Sequence, residues 1–336
     1  REEALNQSER INFENESIVG SISLKGGVID DLTFKQYNVS LDSQEKVTLL
    51  SPRNSKDGYL IESGFITSDK NVEIPNSSSI WKVSGNNKLT DQSPIKISWT
   101  NDQGITFEKE IALDDKYLFS IKQSVINPTD KKYDFYTYGQ IIRNEMPDIS
   151  NFYILHEGLV ATLDDELIEE DYDDIQEKKF SRTAQKGWLG IGDKYWVTSL
   201  IPPREKEFKT TFDYKDKFRA NFVSTEPLEL NENSLIEETL QIIVAAKRVD
   251  VIDGYAESLN IDKFDLTIDW GFLYFITKPL FFGIDYFFKL LGNYGLAIIA
   301  ITICIRLAFF PLANFSFRSM AKMKALQPEM ARLKEL

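Results

Sequence analysis

The chain has 336 residues, enough for one large domain with an appendage or for two domains, and its 39 basic and 52 acidic side chains leave a net charge of −13. One histidine, His156, and one cysteine, Cys304, exclude an internal disulfide, a cysteine cluster and a histidine-rich metal centre, so no metal or other cofactor is expected. Residues 269–336 hold eight basic and four acidic side chains, a charge of +4, which leaves 31 and 48 in residues 1–268, a charge of −17. The front therefore repels nucleic acid and anionic lipid, and the tail favours a membrane face.

The chain opens on Arg1 without a visible export signal and ends inside a helical pattern. It reads as a segment of a longer protein, with sequence expected at both ends. Residues 1–247 alternate apolar and polar side chains at period two, as in Tyr117, Phe119 and Ile121, in Phe208, Thr210, Phe212 and Tyr214, and in Leu240, Ile242, Val244 and Ala246. Turn dipeptides such as Gly26-Gly27, Asn127-Pro128 and Pro202-Pro203 separate these runs. Roughly a dozen strands without a repeat predict a mainly β domain, a large antiparallel sandwich rather than a βαβ layout.

The densest charge block, Asp164 to Asp174, lacks the glycine and the spacing of an EF-hand and is expected to be a solvated loop. His156 and Glu157 are the histidine–carboxylate pair nearest to a catalytic constellation. They sit in a strand-like run, FYILHEGLV, with no recognisable triad and no phosphate-binding glycine loop elsewhere, so no catalytic residue is assigned.

A short helix is predicted from Arg248 to Leu259 within a connector, 248–267. Residues 268–292 follow, aromatic and interrupted by Pro279. At 100° per residue Lys278, Asp285 and Lys289 fall within about 40° of one another, one polar stripe on an otherwise apolar helix. That profile fits a helix lying in the membrane interface, with Trp270, Tyr274 and Tyr286 at headgroup level, or a core helix of the soluble domain.

Residues 293–313 are the predicted membrane span: Tyr294 to Ala313 carries one charge in 20 residues, about 30 Å of helix, the thickness of the hydrocarbon core. Arg318, Lys322 and Lys324 follow it, which puts the tail, 314–336, in the cytoplasm and the large domain outside. Export of that domain implies a signal or membrane helix upstream. Arg306 has two readings, a side chain snorkelling to the cytoplasmic headgroups or a charge facing a wet groove. Thr302, one turn earlier on the same face, either lines that groove or bonds its own helix backbone. Met320, Met323, Leu326, Met330, Leu333 and Leu336 repeat at three and four, a coiled-coil-like seam at which Pro328 is expected to break the helix or start another.

Three strings, DLTIDWGFLYFITKPLFF, GNYGLAIIAITICIRLAFFPL and SMAKMKALQPEM, resemble the YidC branch of the YidC/Oxa/Alb membrane-protein insertases, in the Gram-negative form with a large periplasmic domain. Weaker matches, GGVIDDLTFKQY and GWLGIGDKYWVTSLIPP, extend the resemblance through the front of the chain. The resemblance implies a β-supersandwich with a mutarotase-like fold, an interfacial helix, one helix of a five-helix membrane core, and the start of a cytoplasmic helical hairpin. It implies a non-enzymatic insertase and chaperone of a bacterial inner membrane, acting alone or with the Sec translocon. Its partners would be nascent membrane proteins, the lipid bilayer, and the ribosome through parts outside this chain. It makes Arg306 the groove arginine and Thr302 a lining residue, and it gives Met320, Met323 and Met330 a substrate contact in place of ordinary helix packing. A membrane-anchored envelope domain that binds or processes carbohydrate is the alternative from another class, and a single-pass scaffold is a third.

Overall fold

The computed structural model describes residues 1–147, 156–271 and 273–334, of which 325–334 are described by their backbone alone. The chain divides into two compact units, Arg1–Asp269 and Trp270–Leu336.

The first unit is a sandwich of two sheets, one of eleven strands and one of nine among the described residues. The larger sheet runs from Phe180–Ala184 at one edge through Phe208–Tyr214, Phe218–Ser224, Tyr133–Arg143, Tyr59–Ile66, Val28–Asn38, Ile18–Ser23 and Arg10–Glu14. The smaller runs from Glu166–Asp171 through Gly158–Leu163, Gly187–Gly192, Trp196–Ile201, Ser234–Ala246, Leu118–Asn127, Thr106–Leu113 and Ile95–Thr100 to Lys82–Ser84. Pairing is antiparallel apart from the short match of Arg10–Glu14 with Lys88–Leu89. The core lies between the sheets, where Phe13 meets Phe119 edge-on at 5.2 Å and Phe107 meets Phe135 at 5.7 Å. Alternation along each strand directs one set of side chains into this space.

The sandwich has more strands than period-two counting finds, and the reason is local. Gly158–Leu163 is buried at every position, and Trp196–Ile201 at every position but the first. Such strands show no alternation because both of their faces are covered. Part of that cover comes from Val249–Ser258 and the 3₁₀ turn Phe264–Thr267: Trp188 packs edge-on against Phe264 at 5.3 Å, both fully buried. The Tyr255 hydroxyl ties the helix down by donating to Asp114 at 2.7 Å and accepting the Tyr117 N–H at 2.8 Å.

The acidic run is not a solvated loop. Asp164 and Asp165, both at positive φ (50° and 67°), make the turn of a hairpin whose return strand is Glu166–Asp171. The run then forms the helix Tyr172–Glu177, which buries Tyr172 and Ile175. The charges mask the pattern because this strand is the edge of the nine-stranded sheet, where acidic side chains discourage pairing with another chain.

The second unit is a helical hairpin. Its first helix is Tyr274–Leu291, starting later than the expected boundary because Gly271, at φ 71°, turns the chain just before it. Pro279 sits inside this helix without ending it; lacking an N–H, it forgoes only the bond to the Phe275 carbonyl. Gly292, at φ 67°, closes the helix by donating its N–H to the Phe288 carbonyl at 2.8 Å, and the Asn293 side chain caps the next helix by accepting the Leu296 N–H at 3.1 Å. The second helix, Tyr294–Lys334, is continuous for 41 residues. The expectation that Pro328 breaks it is not met: each proline removes one bond of the ladder, and the neighbouring bonds carry the helix on.

Candidate functional site: a charged turn on an apolar helix

The helix Tyr294–Lys334 contains the one segment, among the described residues, that is long and apolar enough to cross a membrane. Its large side chains point outward: Ile298, Ile299, Ile303, Leu307 and Phe309 are each more than half exposed. An exposed apolar surface of this extent needs lipid or further helices around it. One face is already covered within the hairpin. Ala297 is fully buried, Phe288 stacks on Tyr294 at 3.9 Å, and a side chain in place of Gly283 would come within 2.8 Å of Ile301.

Arg306 lies on the other side. At 100° per residue it is about 160° from the mean direction of Ala297 and Ile301, and Thr302 is about 120° from it. Both are exposed. The structure therefore presents the charged turn away from the hairpin partner. The Thr302 hydroxyl donates to the Ile298 carbonyl at 2.6 Å, the back-bond within its own helix.

The three residues of the expected polar stripe all lie on the first helix. Lys289 and Asp285 pair at 2.6 Å, and Lys278 lies 5.7 Å from the centroids of both Trp270 and Tyr274. Phe275, Phe282, Tyr286 and Leu290 are exposed around it. Met320 and Met323 are exposed on the long helix, whereas Met330 lies outside the residues whose side chains are described.

His156 is held structurally. Its main-chain N–H donates to Asp269 at 3.1 Å, its Nδ1 lies 3.1 Å from Asp171 and its Nε2 lies 3.3 Å from the Leu159 carbonyl. The part of the strand-like run before it, 152–155, lies outside the described residues.

Two cations in the β unit, Lys109 buried and Arg143 largely so, escaped the sequence reading. Arg143 pairs with Asp193 at 2.6 Å, donates to the Tyr172 hydroxyl at 3.1 Å and covers the Tyr59 ring at 4.7 Å. Lys109 is 3% exposed and donates to the Gly27 carbonyl at 3.0 Å, and burial pulls its amine down to about 7. A signal for it existed: Lys109 shares the period-two phase of Phe107, Ile111 and Leu113, a charge at a core-facing position.

Comparison with known proteins accords with this architecture. The family described as YidC periplasmic domain matches residues 10–282, and the 60Kd inner membrane protein family matches residues 286–336. The membrane protein insertase YidC of Pelagibacter ubique is 71% identical over 336 residues, the whole of this chain and 60% of that protein. Its counterpart in Agrobacterium fabrum is 37% identical over 99% of this chain and 57% of that protein. The chain thus spans less than two thirds of the length of these relatives. Among solved structures, a galactose mutarotase-like protein from Lactobacillus casei aligns with 70% of this chain and 100% of its own at a TM-score of 0.52 and 10% identity. A galactose mutarotase related enzyme from Lactobacillus acidophilus aligns with 70% and 97% at 0.51 and 11%. At such identities the likeness is one of fold, the mutarotase-like sandwich, and gives no support to the carbohydrate alternative. The full-length match to named insertases and the two adjoining family matches, joined near the first helix of the hairpin, settle the affiliation: the chain belongs to the YidC family of membrane protein insertases.

Proposed function

We propose that this chain supplies the extracytoplasmic domain and one groove-lining helix of an insertase that places nascent proteins in a bacterial inner membrane. The observation that carries this reading is Arg306, a lone charge on the outward face of an apolar helix, in a chain whose named relatives are insertases. In this reading the sandwich is periplasmic, Tyr274–Leu291 lies in the interface and residues after the span are cytoplasmic, in keeping with Arg318, Lys322 and Lys324.

The work is done by solvation and Coulomb attraction, with no bond made or broken. A guanidinium inside the hydrocarbon layer costs roughly 2.5–3.5 kcal/mol on insertion scales, a cost offset when it keeps water beside it. That water lowers the barrier for a polar segment of a substrate, and the fixed positive charge attracts acidic residues of a translocating tail through a medium of low dielectric. Thr302 sits one turn away on the same side of the helix and would flank the path. The apolar surface around it would accept hydrophobic segments as they leave for lipid. Contacts of Met320, Met323 and Met330 with substrate, and cooperation with Sec components or the ribosome, belong to the same proposal.

The test replaces Arg306 with alanine in the full-length protein and follows insertion of a substrate whose translocated tail is acidic. Insertion should fall by roughly tenfold or more, equivalent to about 1.4 kcal/mol at the limiting step, and Arg306→Lys should retain most of it. Undiminished insertion by Arg306→Ala, with the variant present at normal levels, overturns the groove role.

A further inference from the structure

Between the two sheets, beside the Gly26-Gly27 turn, lies a small chamber with a polar lining that the insertase reading does not use. Lys109 and Gln123 face each other across adjacent strands, and Trp81 forms a wall, with the Lys109 ammonium 4.9 Å from its ring centroid. All three residues are at least 97% buried. Among the described residues, Trp81 Nε1 and Gln123 Oε1 have no hydrogen-bond partner, and Lys109 Nζ has the Gly27 carbonyl as its hydrogen-bond acceptor. A buried donor or acceptor left unsatisfied costs free energy, and of the nine such side-chain atoms among the described residues these two belong to residues that line one space. Here two residues with orphaned polar atoms and a lysine with no acidic partner among the described residues line the same space.

The volume sets the size of an occupant. The chamber measures about 40 Å³, room for roughly three water-sized groups. Its chemistry sets the kind. The ammonium and the indole N–H are donors suited to the two oxygens of a carboxylate, and the Gln123 oxygen is an acceptor suited to a hydroxyl. The other charged groups at the rim are already matched: Glu62 is bound by Arg53 and by Gln140, the latter at 2.6 Å, and Glu108 pairs with Lys96 at 2.7 Å. Tyr138, the remaining titratable group lining the space, is kept neutral by burial.

We infer that this chamber is a binding site for a short hydroxycarboxylate, its carboxylate held by Lys109 and Trp81 and its hydroxyl donating to Gln123. Glycolate, with three oxygens on two carbons, is the probe. An anion seated against the amine stabilises its charged form, so binding above neutral pH should draw in a proton.

The test is calorimetric titration of glycolate, acetate and ethylene glycol into the whole chain in detergent, at pH 8 in buffers of different ionisation heat. Glycolate should saturate below about 10 mM, with proton uptake, and bind several-fold more tightly than either comparison compound. Trp81→Phe keeps the ring and should weaken glycolate about tenfold, and Lys109→Met should weaken it at least as much and abolish the proton uptake. Circular dichroism checks that both variants keep the sandwich. Absence of saturable binding by the folded wild-type chain, or binding unchanged in both folded variants, overturns the assignment. Acetate binding as tightly as glycolate overturns the role of Gln123.

Discussion

Lys109 shows how a single side chain can be legible in one respect and hidden in another. Its place in the strand phase is visible in the sequence, but its lack of an acidic partner among the described residues is a fact of three dimensions. Burial alone draws the amine from an ordinary value of 10.5 to about 7. The unfolded chain therefore holds a proton between pH 7 and 10.5 that the folded chain has released, and the sign of the linkage follows. Stability should rise as pH climbs through that window and level off below it, where both states are charged. Lys109→Met should raise stability near neutral pH by a few kcal/mol and flatten that rise, as read from denaturant midpoints of the sandwich at pH 6.5, 8 and 9.5. A variant less stable than the parent at pH 6.5 would count against the assigned environment. Arg306 is the converse case. A lone charge in an apolar run stands out in the sequence, and so does its helical face, whereas the hairpin partner that leaves that face open does not.

At the scale of elements, the sequence announces strands that have one dry face and conceals strands that have two. Leu240, Ile242, Val244 and Ala246 mark their strand by alternation, but Gly158–Leu163 and Gly187–Gly192 read only as short apolar runs until their cover is known. The acidic hairpin was hidden for the opposite reason, since an edge strand carries its charges for solubility. Gly187 is a point where these strands meet a strict demand. It adopts φ 144°, and a Cβ there would stand 1.9 Å from the Thr162 carbonyl oxygen of the paired strand. Gly187→Ala should therefore force the two strands apart and lower the stability of the sandwich by about 2–4 kcal/mol. Thermal and urea denaturation followed by tryptophan fluorescence would register this through Trp188, which sits in the same strand. A loss under half a kcal/mol would show that the backbone relaxes there without cost. The helical hairpin was more legible: polar stripe and apolar span both stand in the sequence. Its exact start was not, because a glycine turn outside the pattern sets it.

At the scale of the molecule, charge asymmetry and hydrophobic length together predict a topology. Residues 1–268 carry −17 and residues 269–336 carry +4, and the span lies within the second group, followed by its basic flank. With Cys304 replaced by alanine, a cysteine introduced at the fully exposed Leu41 should react with a membrane-impermeant maleimide added outside spheroplasts expressing the full-length protein. A cysteine at Met323, also exposed, should react only after the membrane is opened. The reverse pattern would invert the orientation.

The unbroken second helix has a mechanical consequence. At 1.5 Å per residue its 41 residues form a rod of about 60 Å, twice the thickness of the hydrocarbon layer. A rod passes motion from end to end without waiting for a hinge. Pivoting by ten degrees about the level of Cys304 would swing the Lys334 end sideways by about 8 Å, while Arg306, close to the pivot, would hardly move. Tugging at the far end would thus redirect the approach to the charged turn while leaving the turn itself in place.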